Sequence, residues 1–557
     1  MNATRAGAGA GAGANAAAGW NPITLAALAS LWIATLANWP LWRALATLPE
    51  MASPRGALFM VGFAGIVAGL TGLVLVLAAW SRVIKPVITP FVVVAAIAAH
   101  FMGSYGVVID PSMIVNVLQT DPRETRDLLD AWLLLSVLLL AVLPLAWLWR
   151  TPVRRLPALR QIGLNGLSLL ALCIALLALL VALFADLSST MRNHRSMRYL
   201  INPLNAFYGL VVVAVESNAR PKGPPTVIGV GAKAERIAGT KPPLLLLVVG
   251  ETARADHFSL NGYARPTNPE LAKLGVLSFR DVSSCGTNTA ASLPCMFSHL
   301  GKRGFEGRDR DHENLLDVLQ RAGLAVLWLD NQSSCKGLCD RVPNAYAVTP
   351  ARSEKPLPAG LCSDGECLDG ALLHDLDARL QALPEARRAQ GVVIVMHQVG
   401  SHGPAYFKRA PADRKPFMPE CTDTALQRCE RAAVVNAYDN SIAYTDQVLA
   451  DAIRWLTSTS ADYESRLLYI SDHGESLGEN NLYLHGLPYD VSPREQKHVP
   501  MIYWQPDAIN ATTICLQGLR DAPLTHDNLF HTVLGLVGVT AAEYRQPLDA
   551  FAPCRSP

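Results

Sequence analysis

Two hydrophobic patterns divide the chain. In the first third, residues 20–42, 57–80, 86–109, 131–149 and 161–185 contain no Asp, Glu, Lys or Arg. As helices, each is long enough to cross about 30 Å of hydrocarbon. Past residue 240 the apolar runs shrink to about six residues: LLLLVV (244–249), LAVLWL (324–329), GVVIVM (391–396), RLLYIS (466–471) and VPMIYW (499–504). Short unbroken apolar runs suit strands buried on both faces, as in parallel sheets. Between them, segments such as 313–323 and 437–456 carry helical spacing. The pattern predicts a five-helix transmembrane bundle followed by an α/β sandwich.

Charge orients the first part. Loops 81–85 and 150–160 carry Arg82, Lys85, Arg150, Arg154, Arg155 and Arg160 without acids. The opposite connections balance their Arg with Glu50, Asp110, Asp121, Glu124, Asp127 and Asp130. The Lys/Arg excess places loops 81–85 and 150–160 in the cytoplasm, so five crossings put everything after residue 186 outside. The expected organisation is a disordered Ala/Gly-rich start (1–19), a five-span domain (20–186), an interfacial helix and linker (187–241) and a soluble domain (242–557). Segment 109–129 is expected on the outer side, as a short surface helix or a loop.

Composition sharpens this picture. The chain is 50% hydrophobic and 17% charged over 557 residues, with net charge +2. Nothing in that balance argues for a nucleic-acid partner. Of 11 cysteines only Cys173 lies in a span; the other ten follow residue 280. Nearest-neighbour pairing gives Cys285/Cys295, Cys335/Cys339, Cys362/Cys367 and Cys421/Cys429, with Cys515 and Cys554 left as a long-range pair. Such a framework belongs to an oxidising compartment.

The residues after the predicted strands carry the chemistry. They are Glu251-Thr252, Asp330-Asn331, His397 with His402 close behind, and Asp472-His473-Gly474-Glu475. Open α/β sheets place their sites at carboxyl strand ends. Glu251, Asp472 and His473 form a donor set suited to Zn²⁺ or Mn²⁺. A metal stabilises an alkoxide, and the stretch SSCGTNTAASLPCMFS (283–298) offers hydroxyls fenced by Cys285 and Cys295. Residue chemistry leaves Ser283, Ser284, Thr287, Thr289 and Ser292 all open. Thr289 precedes good helix formers and is expected to cap a short helix whose amides face a phosphate. His402 and His485, both beside glycines, are candidates for a second metal or for leaving-group protonation. His397 at a strand end is the more ambiguous. Lys336 is placed to neutralise a phosphate. His526 and His531 fit a helix packed on the sheet.

GETARADHFSLNGYARPTNP, SCGTNTAASLPCMFS, GSHGPAYFKRAP and SDHGESLGENNLYLHGLP resemble the lipid A phosphoethanolamine transferases of the alkaline phosphatase/sulfatase superfamily. The likeness spans nearly the whole chain. It implies an alkaline-phosphatase-like periplasmic domain on an inner-membrane anchor. It also implies transfer of phosphoethanolamine from phosphatidylethanolamine to lipid A through a phosphothreonine, with reduced sensitivity to polymyxin. The family's nucleophile falls on Thr289 and its zinc ligands on Glu251, Thr289, Asp472 and His473. Its further histidines fall on His402 and His485, an acidic residue on Glu475, and donor-binding polar residues near Asn331, Gln332 and Lys336. Gln332 stands where some relatives carry Asn. Transfer to a core sugar of lipopolysaccharide, phosphodiester hydrolysis and phosphoglycerol transfer are related chemistries. The absence of a CxPxR motif argues against a formylglycine sulfatase.

Overall fold

The computed structural model describes residues 19–555 apart from 121, 220, 222, 236–238, 333, 348–355, 364 and 507–509. The expectation of disorder at the start concerns residues that, save Gly19, lie outside those described. The chain forms two compact units.

The first unit holds five helices of membrane-crossing length: α1 (Pro22–Ala46), α2 (Pro54–Leu77), α3 (Ile84–Tyr105), α4 (Ala131–Arg150) and α5 (Ala158–Asn193). In lipid, helices associate through close packing rather than through the hydrophobic effect. Glycines on α2 supply that closeness. A Cβ at Gly62 would sit 2.4 Å from Leu183 and one at Gly69 2.6 Å from Leu176, both on α5. Buried amides must find partners in such a setting. Asn202 does so, donating from Nδ2 to the carbonyls of Ala37 (2.9 Å) and Ala95 (2.7 Å). A π-turn at Leu138–Val142 interrupts α4.

The second unit comprises residues 115–128 and everything from 214 onward. Its sheet has eight strands: β1 (Pro243–Gly250), β2 (Leu277–Ser283), β3 (Ala325–Asp330), β4 (Asn344–Tyr346), β5 (Val392–His397), β6 (Glu464–Ser471), β7 (His498–Trp504) and β8 (Leu524–Thr525). Their spatial order is β8-β2-β7-β6-β1-β5-β3-β4. The five apolar runs form β1, β3, β5, β6 and β7. One of them, β7, runs antiparallel to both neighbours, contrary to the parallel expectation. Burial on both faces comes from the covering layers and says nothing about strand direction. The half-exposed β2 and the short edge strands β4 and β8 lack an unbroken apolar run, so the pattern does not single them out.

Covering helices bury both faces of the sheet. Leu245, Leu247 and Val249 of β1 pack in one cluster with Leu316, Leu319 and Val533, while Leu244, Leu246 and Val248 are equally buried. Leu316 and Leu319 lie on α7 (Leu315–Arg321), and Val533 on α9 (Leu529–Leu536). The long α8 (Arg431–Thr459) buries Val434, Tyr438, Ile442, Leu449, Ile453 and Leu456 at helical spacing. Segment 226–234, which composition reads as linker, packs on this unit: Ile228 and Ala232 join its core.

Parallel register aligns the carboxyl ends of four central strands. Asp330 pairs with His397, His397 with Val249, and Gly250 with Ser471. The next residues, Asn331, Gln398, Glu251 and Asp472, therefore leave the sheet along one line. Helix α6 (Thr289–Met296) meets that line. Its N-cap is Asn288, whose side chain accepts from the Ala291 amide at 2.9 Å. This corrects the expectation that Thr289 caps the helix. Asn288 takes the cap because its shorter, amide-bearing arm reaches the free N–H, and the Thr289 hydroxyl is left uncommitted to backbone.

Beneath α6 lies buried His526. Its Nδ1 accepts from the Cys285 amide (3.1 Å) and faces the Ser292 hydroxyl (3.2 Å), while Nε2–H donates to the Ser471 carbonyl (3.0 Å). One neutral ring thus joins the disulfide loop, the nucleophile helix and the end of β6. Burial pushes its pKa down to about 3.

Two outcomes are expected. Asn288→Ala removes the cap and lowers stability by about 1 kcal/mol, with turnover falling as α6 loosens; Asn288→Asp keeps both nearer wild type. Thermal unfolding in detergent and turnover check this. For His526, the unfolded chain takes up a proton below pH 6.5 while the folded chain resists until about pH 3. Its contribution is full above pH 6.5 and shrinks as pH falls, by about 2 kcal/mol between pH 7 and 5. His526→Gln is expected to flatten the acid limb of a Tm–pH profile; an unchanged slope refutes this account.

Candidate active site

Glu251 and Asp472 follow paired strands, and both are fully buried. Their nearness is costly, so the surroundings divide their oxygens carefully. Asp472 Oδ1 accepts from the Thr252 amide (3.1 Å) and the His473 amide (2.7 Å). Glu251 Oε1 accepts from the Thr252 hydroxyl (2.6 Å), and Oε2 from Gln332 Nε2 (3.1 Å). Thr252 holds φ +59°, a conformation β-branched residues seldom adopt, to deliver both its groups. Opposite it, Gly400 has φ +53°, and a Cβ there would lie 2.5 Å from the Glu251 carbonyl oxygen. Only glycine fits that approach.

His473 completes the set. Its Nδ1–H donates to the Gly474 carbonyl at 2.9 Å, which turns the bare Nε2 toward Glu251 Oε1 (3.2 Å) and Asp472 Oδ2 (3.4 Å). Asp472 Oδ2 is buried without a hydrogen-bond partner. One ligand atom each from Glu251, Asp472 and His473 falls within 4.8 Å of the others. Lone pairs from two carboxylates and an imidazole converging on one point fit a divalent cation. A second Cys/Asp grouping, Cys335, Cys339 and Asp340, does not fit one, because its cysteines are joined as a disulfide.

Thr289 Oγ1 stands 3.2 and 3.1 Å from the Glu251 oxygens and 3.4 Å from His473 Nε2. This geometry separates the five hydroxyls. Ser284 donates to the Gly286 carbonyl, Thr287 to the Leu487 carbonyl and Ser292 to the Asp472 carbonyl. Ser283 ends β2. Thr289 is the one that meets the carboxylate–imidazole cluster.

Three imidazoles form a row. The rings of His473 and His485 are 4.3 Å apart, and those of His485 and His402 5.5 Å. His485 Nδ1 faces Glu475 Oε2 at 3.4 Å, and Glu475 is fully buried. Burial alone raises the Glu251 carboxyl, but His473, His402 and the Thr252 hydroxyl outweigh it and hold Glu251 ionised far below the usual range. Burial, then the neighbouring Glu251 charge, push Asp472 up. Burial and the nearby His473 keep His485 low, against the pull of Glu475. His397 lies apart, with Nδ1 3.1 Å from Asp330 Oδ1.

The other expected binding residues divide. Gln332 reaches the cluster. Asn331 spends its amide on the Cys367 carbonyl (2.9 Å) and Asp369 (2.8 Å). Lys336 donates to the Gln119 carbonyl at 3.1 Å. The ten outer cysteines form five disulfides: Cys285–Cys295, Cys335–Cys339, Cys362–Cys367, Cys421–Cys429 and Cys515–Cys554. Thr252 and His526 carry site geometry that spacing did not reveal. Thr252 sits in a conformation no motif announces, and the partners of His526 lie up to 241 residues away.

Similarity to known proteins follows the same division. Residues 243–539 match the sulfatase family, and residues 67–217 match the family described as phosphoethanolamine transferase EptA/EptB. The chain is 38% identical over 540 residues to the phosphoethanolamine transferase EptA of Salmonella typhimurium, covering 95% of this chain and 96% of that one. It is 36% identical to the phosphatidylethanolamine transferase Mcr-1 of Escherichia coli, covering 94% and 96%. The integral membrane lipooligosaccharide phosphoethanolamine transferase A of Neisseria meningitidis superposes with a TM-score of 0.88 at 33% identity, over 96% of this chain and 99% of that one. With its five membrane-length helices and its sulfatase-type α/β unit, the chain belongs to the phosphoethanolamine transferase family.

Proposed function

We propose that this enzyme transfers phosphoethanolamine from phosphatidylethanolamine to a phosphate of lipid A through a covalent intermediate on Thr289, with Zn²⁺ as its metal. The observation that carries this reading is the Thr289 hydroxyl, uncommitted to capping, at 3.1–3.4 Å from Glu251 and His473. Glu251, Asp472, His473 and Thr289 are the residues that would hold zinc. Bound there, zinc would lower the pKa of the hydroxyl and neutralise charge on the transferring phosphoryl group.

The residues divide the remaining work. In the first step the Thr289 Oγ–P bond forms and the P–O bond to the glyceryl oxygen breaks, releasing diacylglycerol. The threonine proton leaves toward the Glu251 carboxylate, and the glyceryl oxygen takes a proton from the imidazole row of His402 and His485. The α6 amides and its helix dipole face the phosphoryl oxygens. In the second step a lipid A phosphate oxygen attacks the same phosphorus, the Thr289–P bond breaks and Thr289 regains a proton. Asn288, the Cys285–Cys295 bridge and His526 hold the nucleophile still between steps. A multi-pass anchor in the inner membrane, with the catalytic unit in the periplasm, would supply both lipids from one surface. Capping an anionic phosphate with an ethanolamine amine would weaken attraction of polymyxin.

Mass spectrometry of lipid A from a host expressing the protein is the test. A phosphoethanolamine gain is expected with wild type and not with Thr289→Ala, whose turnover should fall by at least about 10³-fold; Thr289→Ser should retain a measurable fraction. A gain with Thr289→Ala rules out the covalent route, and a gain confined to core sugars moves the acceptor. Chelation is expected to abolish transfer, with Zn²⁺ restoring it and Mg²⁺ not. Full activity in metal-depleted enzyme, checked by elemental analysis, would exclude the metal assignment.

A further inference from the structure

A second cluster of imidazoles lies away from the catalytic row. His299 sits in the turn just after α6, and His312 in the loop before α7. Their rings meet edge to face with centroids 5.4 Å apart. Nδ1 of His299 and Nδ1 of His312 are both buried without a hydrogen-bond partner. Glu543 supplies a third orphan. Its Oε1 accepts from the Gly229 amide at 2.9 Å, while Oε2 is buried and unpartnered. Its charge is felt by His299. Buried polar atoms are almost always paired, so three orphans drawn together from three chain segments call for a common partner.

We propose that His299, His312 and Glu543 form a second site for a borderline divalent metal of the zinc type, distinct from the catalytic centre, that clamps the trailing end of the nucleophile helix to segment 226–229. Two imidazoles and one carboxylate suit Zn²⁺, Co²⁺ or Ni²⁺ rather than Mg²⁺ or Ca²⁺. The three side chains close on the ion by rotation about their own torsions, and water fills the remaining positions. His531, close by, is not a ligand. Its Nδ1 accepts from the Arg545 amide at 3.1 Å, so Nε2 keeps its proton and has no lone pair to give. Burial, His312 and Arg545 lower the His299 pKa, with Glu543 opposing, and His299 therefore stays neutral and able to ligate near pH 7.

The clamp has a mechanical sense. His299 is three residues beyond Met296, the last residue of α6, so a metal there fixes the end opposite Thr289. Segment 226–229 is already tied along 311–313, the Thr226 amide donating to the Asp311 carbonyl (2.8 Å) and the Glu313 amide to the Thr226 carbonyl (2.9 Å). The metal would join both to the Glu543 loop. None of this depends on which lipid the enzyme modifies.

The test measures Zn²⁺ itself on the full-length protein in detergent, by elemental analysis and calorimetric titration after metal depletion. Wild type is expected to bind one more equivalent than His312→Ala or His299→Ala. Glu543→Gln, which keeps an acceptor for Gly229, should weaken that equivalent by about 10-fold or more. In an Asp472→Asn background, which disables the catalytic centre, added Zn²⁺ should still raise Tm by a few degrees, and the rise should vanish with His312→Ala. Equal zinc content and equal Tm response in wild type and both histidine variants would overturn the proposal and leave ordered water as the partner of the three atoms.

Discussion

Two buried carboxylates on neighbouring strands set the terms for the catalytic unit. Glu251 and Asp472 have no water to share their charge, and their ligand atoms lie within 4.8 Å. At an effective dielectric of about 20, repulsion at that separation is at least about 3 kcal/mol. The sheet imposes this proximity because adjacent parallel strands in register deliver their next residues side by side. Folding is tolerable only where positive charge and donors gather at that point.

Much of the surrounding structure reads as an answer to that demand. Thr252 accepts an unfavourable backbone conformation to give an amide and a hydroxyl. Gly400 lets a second loop close against Glu251. His473 turns its proton to a carbonyl and its lone pair inward, which suits a cation better than it suits another donor. The N-terminus of α6 adds its dipole from the third side, with Thr289 at the tip. An arrangement that concentrates negative charge to hold a metal also stations an activated hydroxyl beside it. Stability and reactivity here come from the same electrostatic balance.

Precision in placing Thr289 comes from residues outside the charged cluster. Asn288 relieves threonine of capping, the Cys285–Cys295 bridge closes the loop around it, and His526 fastens that loop to the end of β6. Each of these acts on backbone rather than on the reacting atoms. His526 does so as a neutral ring with one acceptor and one donor, a role that needs its burial.

What the sequence determined by itself was local. Charge-free runs of membrane length marked five helices, because crossing lipid requires one continuous apolar segment. Short apolar runs marked the central strands, and cysteines four to ten residues apart could pair without tertiary information. Polar residues at strand ends marked the chemistry, and a resemblance in four motifs assigned roles to them. What only the tertiary structure decided was non-local. The choice of Thr289 among five hydroxyls rests on contacts to Glu251 and His473, 38 and 184 residues away. The reversed direction of β7, the docking of segment 226–234 and the hub at His526 likewise depend on register and packing. A pattern of hydrophobicity records how deeply a residue is buried; it does not record which neighbour buries it.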